Sequence, residues 1–402
     1  LTSKPAKVFY GKSFKPADLR PLNDLGDGGK VTVWGDVFFT EVKGNRRKIY
    51  FTSITDYNGS INLKVLGDEN EDMSKWEGLK SGTTLIVRGN YTYDKYEHDY
   101  VLLPYDVLQV ERMPRHDDAP EGQKRVELHL HTKSSSMDGF CDSGKIVRLA
   151  HRMGHRAIAI TDHGVMYGCV AFYDAAKAAG IKPIIGCEVY VATRTRFDKV
   201  NRIDGNNHLI LLCKNETGYK NLIKMVSAGF LEGFYSKPRI DHDLLEQYHE
   251  GLICLSACLA GEVPQAILAG DYERAKQIAL YYNDLFGQGN YYIELQDHGL
   301  EEDTTVLPQL IRLSRETGIP MVATNDSHYI TREDAKMQSI LLCIQTGKTV
   351  NDVDRMEFQT EEFYVKSTDE LYDLKTDPQE LHNVIDEHPE VLDRMRPYSF
   401  RH

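Results

Sequence analysis

No run of apolar residues in the sequence approaches the roughly 18 that a membrane span needs, and the stretch Leu1 to Gly11 lacks the apolar core of a secretory signal peptide. Both absences predict a soluble, cytoplasmic protein with no membrane partner. A paired, closely spaced set of cysteines is also missing. The seven present, Cys141, Cys169, Cys187, Cys213, Cys254, Cys258 and Cys343, are odd in number and scattered through apolar runs. Such a set suits reduced thiols, one of them a candidate metal ligand, rather than a disulfide framework. Positive charge is in deficit, with 48 Lys and Arg against 60 Asp and Glu and a formal net charge of -12. A protein that coats nucleic acid by bulk charge is thereby excluded, whereas a local basic groove, or carboxylates balanced by bound cations, is not. Apolar residues are plentiful. At 402 residues, 41% hydrophobic and 27% charged, the chain can bury sizeable cores and should divide into two or three domains.

The first domain is expected over residues 1–110. From Lys30 to Val110 five strand-like runs, VTVWGDVFFTEV, RKIYFTSITDY, SINLKVLG, TTLIVRGNYTYD and DYVLLPYDVLQV, are separated by turn chemistry that includes Asn58-Gly59, and MSKWEGLK is the one helical interruption. Their number and order predict a small all-β barrel of the OB-fold kind, an architecture that binds oligonucleotides in many proteins. Tyr50, Phe51, Tyr57, Tyr91, Tyr93 and Tyr96, interleaved with Arg46, Arg47, Lys48 and Arg88, are candidates for base stacking and phosphate contact, with about half of the aromatics needed as barrel core. Residues 111–125, charged and carrying two prolines, read as a linker.

From Val126 the pattern changes. Nearly continuous apolar strands (VELHLH, RAIAIT, KPIIGCEVYVA, HLILLCK, LICLSA, YYIELQ, PMVATN) alternate with amphipathic helical segments. This βα repetition predicts an α/β domain over 126–345, a parallel sheet covered by helices and closed as a barrel, with 346–402 as connection and tail. In such barrels chemistry gathers at the C-terminal strand ends. There the sequence places His129 and His131, alternating so that both face one side of the first strand. It also places Asp138 in the following turn, His163 after Thr161-Asp162, Glu188 after Gly186, His208 opening the fourth strand, Cys258 after the fifth, and Asp326 with His328 after the last. Five imidazoles, three carboxylates and a thiol exceed what one metal needs, and imidazole with carboxylate suits Zn, Mn or Fe rather than Ca. Arg194, Arg196, Lys199 and Arg202, and Lys237 with Arg239, are candidate contacts for a nucleic-acid backbone.

The strings HLHT, S-x-M-D-G, ITDHG, G-C-E, S-A-C and N-D-S-H resemble the PHP (polymerase and histidinol phosphatase) family. Over most of 126–366, GIKPIIGCEVYVA, NETGYKNLIKMVSAGFLEGFYSKPRID and EGLICLSACLAGEVPQ are similar to the PHP portion of bacterial DNA polymerase III alpha subunits of the DnaE type, while the barrel followed by APEGQKRVELHLHT resembles the PolC type. The resemblance implies a distorted PHP barrel and makes His129, His131, Asp138, His163, Glu188, His208, Cys258, Asp326 and His328 the ligands of a site for three divalent metals. It further implies phosphoesterase activity, in polymerases a 3′ to 5′ exonuclease, with single-stranded DNA or DNA 3′ ends and other replisome subunits as partners. Alternatives are a noncatalytic scaffold stabilised by metal and a small-molecule phosphatase of the histidinol-phosphate kind. Three departures limit the carry-over. The loop ATRTRFDKVNRIDGNN is too short to hold the proofreading exonuclease that PolC types insert there, and no polymerase palm is expected in this sequence. From Leu371, LYDLKTDPQELHNV resembles a sulfatase tail without the sulfatase nucleophile motif.

Overall fold

Alternation of apolar and polar residues in short runs produces strands that bury one face. The computed structural model describes residues 6–44, 48–56, 58–67, 73–111 and 115–371, in two units that divide after residue 114. In the first unit β1 (Lys7–Tyr10), β2 (Gly29–Lys43), β3 (Ile49–Thr55), β4 (Ser60–Leu66), β5 (Thr84–Asp94) and β6 (Asp99–Val110) form one sheet. It runs β6-β4-β3-β2-β5 and closes where β5 pairs again with β6, so five strands make a barrel while β1 lies along β6. Ile54, Leu63, Leu85 and Leu102 fill the interior. Trp76, from the short helix Ser74–Glu77, is buried with ring edges toward Phe9 and Tyr10 of β1. β1 was not among the five predicted runs, because four half-exposed residues are too few to show a period.

The barrel divides the candidate aromatics. Tyr50 belongs to the core, and Phe51 is buried beneath the ammonium groups of Lys43 and Lys64, at 4.6 and 5.6 Å. Tyr91 is half-buried, while Tyr93 and Tyr96 are 51% and 88% exposed. Lys48 pairs with Glu77 and Arg88 with Asp106. Arg46, Arg47 and Tyr57 lie outside the described residues.

The second unit carries β7 (Ala157–Ile160), β8 (Lys182–Ala192), β9 (Asn206–Cys213), β10 (Arg239–Ile240), β11 (Leu252–Leu255), β12 (Tyr291–Leu295) and β13 (Met321–Ala323). The path β7-β8-β9-β11-β12-β13 is closed into a ring by the segment 127–131, which bridges Ile158 through Glu127 and Ser327 through Leu130. Helices cover the outside, and local sequence sets their ends. Asp142 caps Ser143–Arg152 by accepting from the backbone N–H groups of Gly144 and Lys145, Ile146, Val147, Leu149 and Ala150 turn inward, and His151 and Arg152 sit at the negative end of the helix dipole.

Two expectations need correction. The sheet is not all parallel, since β9 runs antiparallel to both β8 and β11. The connection 193–205 between β8 and β9 contains no helix to carry the chain back, so β9 returns beside β8 as the second strand of a hairpin. The run VELHLH is not a regular strand either. The N–H groups of Leu128 and His129 turn to Glu127 Oε1, and that of Leu130 to Thr161 Oγ1, so side chains take places a ladder would use. In the segment read as a linker, residues 115–125 are tied down within the second unit: Arg115 donates to Ile330 O, Asp117 accepts from Thr368 and His155, and Arg125 donates to Lys366 O. The sulfatase-like tail beyond Leu371 lies outside the described residues.

Candidate metal centre

The ring brings all nine predicted side chains into one connected cluster. His129 and His131 arrive on the 127–131 segment, with their Nε2 atoms 3.1 Å apart. Asp138 comes from a turn in which its own N–H and that of Gly139 both bond to Ser135 O. A Cβ at Gly139 would stand 2.2 Å from Thr132 O, so the turn requires glycine. β9, by running backwards, delivers His208 at its start to the end where the other strands finish. Met137, Ala257 and Asp326, at or beside three of the nine, hold left-handed φ of 64°, 64° and 44°. Such conformations cost free energy in non-glycine residues and persist where the surroundings demand them.

Glu188 is the hub. Its Oε1 lies 2.9 Å from His208 Nδ1, 3.4 Å from His129 Nε2 and 3.8 Å from Cys258 Sγ, and its Oε2 lies 2.5 Å from His163 Nδ1 and 3.5 Å from His131 Nε2. Asp326 Oδ1 is 3.1 Å from Nε2 of both His129 and His131. Asp138 reaches His163 Nε2 at 3.1 Å and His328 Nε2 at 3.7 Å. Cys258 Sγ is 3.5 Å from His208 Nδ1. The rings of His163 and His328 stack on His131 at 4.0 and 4.4 Å.

These donors fit divalent cations better than they fit one another. His131, His163 and His328, then His129, His131 and Glu188, then His163, Glu188 and His208 each offer ligand atoms within 4.8 Å of one another, and the three groups overlap. His163 Nδ1, Glu188 Oε2 and Asp326 Oδ1 are buried and face one another or neighbouring imidazoles without a well-directed hydrogen bond, a condition that a metal ion between them would relieve. Burial would raise the Glu188 carboxyl, yet the imidazoles of His208, His163 and His129 hold it well below the usual carboxylate range. Asp326 and Asp138 are held low in the same way, against burial, by neighbouring imidazoles. Burial, then the neighbouring imidazoles of His163 and His328, pushes His131 down to about 3. Burial would lower His163 too, but Glu188 and Asp138 raise it to about 10. Ionised carboxylates thus surround a neutral His131 with its lone pair available.

The residues orienting these donors escaped the sequence reading. Glu294 accepts from His129 Nδ1 at 2.7 Å and is itself held by Gln296 and Thr324. Ser135 Oγ donates to Asp162 and faces His131 Nδ1 at 3.1 Å, and His328 Nδ1 donates to Asp326 O. In His129, His131 and His328 the Nδ1 proton is therefore engaged by protein and Nε2 is turned inward. A carboxylate inside the apolar run YYIELQ was the available signal for Glu294. Nothing in the sequence distinguished Ser135 from an ordinary turn residue.

Most of the candidate backbone-binding cations are already engaged. Arg194 forms a two-point pair with Asp204, Arg196 bonds to Glu232 and Asp241, and Lys199 donates to Glu232 O. Arg239 is buried and donates to the carbonyls of Gly233 and Asp198. Burial takes Arg239 away from a nucleic-acid backbone, whereas Arg194 and Lys199 stay exposed beside their partners; Arg202 marks a left-handed turn in the same loop.

The family model of the PHP domain matches residues 127–298. The DNA polymerase III alpha subunit of Treponema pallidum is 49% identical over 251 residues, which cover 62% of this chain and 22% of that protein. The alpha subunit of Borreliella burgdorferi is 47% identical over 263 residues, 65% of this chain and 23% of that one. The chain thus spans less than a quarter of the length of these curated relatives. Among solved structures, a two-domain protein from Bacteroides vulgatus described as containing a PHP-like metal-dependent phosphoesterase is 16% identical, with a TM-score of 0.34 over 54% of this chain and 57% of that one, too loose a likeness to bear on function. Residues 127–298 match the PHP domain model, and well over half of the chain is similar to bacterial DNA polymerase III alpha subunits.

Proposed function

We propose that this chain is a metal-dependent phosphodiesterase of the 3′ to 5′ exonuclease type, the PHP module of a bacterial replicative DNA polymerase III alpha subunit acting in the cytoplasm, with the first unit as an OB-type domain for single-stranded DNA. The observation that supports this most is the buried Glu188 carboxylate, whose two oxygens each face a different set of imidazoles. In this reading His129, His131, Asp138, His163, Glu188, His208, Cys258, Asp326 and His328 hold three divalent ions, Zn, Mn or Fe. Ions bound there supply charge neutralisation to a phosphodiester and a nucleophilic water at neutral pH. The chain's own part is to position. Glu188 spans neighbouring donor groups, Glu294 and Ser135 keep Nε2 of His129 and His131 pointed inward, and the enclosing ring excludes bulk water from all but the mouth. Strand order β2-β3-β4-β6-β5 around a closed five-strand barrel supports the OB assignment.

The test combines metal analysis of the purified full chain with hydrolysis of single-stranded DNA labelled at either end. We expect bound transition metal, loss of digestion on chelation, and recovery with Mn or Zn but not Ca. His131→Ala and Asp326→Ala should each lower metal content and lower activity further still. Digestion that persists unchanged in both variants belongs to another protein. A metal-loaded preparation that leaves DNA intact, with Tm falling on chelation, reduces the centre to a scaffold.

A further inference from the structure

One cation at the mouth of the centre is held differently from the rest. Lys237 forms no ion pair with a carboxylate among the described residues; its ammonium lies 5.3 Å from the centre of the Tyr190 ring. That ring borders the centre, stacked on His163 at 6.0 Å and edge-on to His208 at 5.2 Å. The backbone that presents Lys237 is strained and rigidly held. Ser236 has φ 59°, and the N–H of Tyr235 bonds back to Lys237 O across it. On the far side, buried Arg239 fixes the segment to Gly233 and Asp198 and lies against the Tyr235 ring at 5.1 Å. Pro238 packs so closely on Gly164, the residue after His163, that a Cβ there would meet Pro238 Cγ at 2.8 Å. A left-handed serine and a close proline-glycine contact are costly ways to place a surface lysine, and strain of this kind concentrates where a side chain must be aimed.

We propose that Lys237 is a substrate-binding residue of the PHP centre, its ammonium contacting a nonbridging oxygen of the substrate's phosphate while Tyr190 holds it at the mouth. The inference rests on the phosphodiesterase reading for its substrate, but the anion site it describes can be measured without turnover. Lysine binds phosphate as a point charge, so Lys237→Arg should retain most of the effect and Lys237→Ala lose it.

The experiment measures two quantities on the Mn-loaded full chain: KM and kcat on single-stranded DNA, and calorimetric binding of inorganic phosphate. Lys220→Ala, which removes another exposed lysine, serves as control. In Lys237→Ala we expect KM and the phosphate Kd each to rise roughly tenfold, the size of one charged contact, with kcat and metal content near those of the parent. The differences should shrink at high salt. Where the parent hydrolyses no DNA the phosphodiesterase reading fails, and phosphate binding alone decides the role of Lys237. Equal phosphate affinity in parent and Lys237→Ala, or a lower kcat at unchanged KM, overturns the inference.

Discussion

Glu294 shows how much of a site can lie behind its ligands. It touches no other carboxylate or imidazole of the cluster except His129, but its short bond to Nδ1 fixes that ring's tautomer and tilt. Outer carboxylates of this kind are worth about 10- to 100-fold in metal affinity. Glu294→Gln should therefore release metal to a competing chelator at correspondingly lower chelator concentration, while its circular dichroism stays that of the parent. Unchanged retention would mean that Gln296 and Thr324 alone position His129. Most of the nine inward-facing side chains could be read from the sequence because they are polar at an end of an apolar run; Asp138, in a polar turn, was legible through the family resemblance. Glu294, Ser135 and Asp162 could not, because a residue that acts by hydrogen-bonding another one carries no spacing of its own. The basic residues were half legible for the opposite reason: a sequence shows the charge of Arg194 or Arg196 but not the carboxylate that pairs with it.

At the scale of elements, the apolar runs of the second unit marked its strands but not their direction. The LILL of β9 buries as thoroughly as the parallel strands of the same sheet, and only the absence of a helix between β8 and β9 betrays the reversal. Burial also hid the role of the supposed linker. Asp117 is enclosed and accepts from His155 Nε2, from the N–H and hydroxyl of Thr368 and from the N–H of Ala119, so three separate pieces of chain meet on one carboxylate. Burial would raise its pKa, but the bonds from His155 and Thr368 hold it well below the usual range. A carboxyl lowered on folding stabilises the fold above its unfolded value and ceases to do so as pH falls through the folded one. Asp117→Ala should thus destabilise by about 2–4 kcal/mol at pH 7, where it strands buried donors, and by progressively less below about pH 4. Denaturant titrations at pH 7 and pH 3 compare the two. An equal gap at both would assign the effect to packing instead of the ionised carboxylate. His155 works with the same sign at higher pH: burial lowers its pKa, so acidification below the ordinary histidine range weakens the fold.

Taken whole, the molecule combines an acidic net charge with a barrel face that exposes Tyr93 and Tyr96, the ammonium of buried Lys64 lying 5.8 Å from the Tyr96 ring and Lys43 pairing with Glu97. If this face stacks bases, the full chain should bind a fluorescent oligothymidylate weakly. With two or three phosphate contacts, log K against log salt should fall with a slope of about -2. Replacing Tyr93 and Tyr96 together by alanine should weaken binding by about 1–3 kcal/mol for each base unstacked. Tyr50→Ala should instead lower Tm, since Tyr50 is core. Binding that ignores both salt and the tyrosine pair would remove the oligonucleotide role from the barrel. That some aromatics would be core was legible from composition; which ones depended on the register of β3 against β2 and β4.

The reversed strand has one more consequence. At the mouth of the centre Ala192 and Asn206 are paired across the hairpin, so the chain leaves β8 and rejoins β9 at facing positions. Extra sequence placed between them would begin and end at points already held together. The entropy of closing such a loop grows only as the logarithm of its length, about 0.6 kcal/mol for each doubling. A hinge-free doorway of this kind lets the fold accept anything from a short turn to an independently folding body beside the imidazole and carboxylate cluster, with almost no penalty to the ring itself.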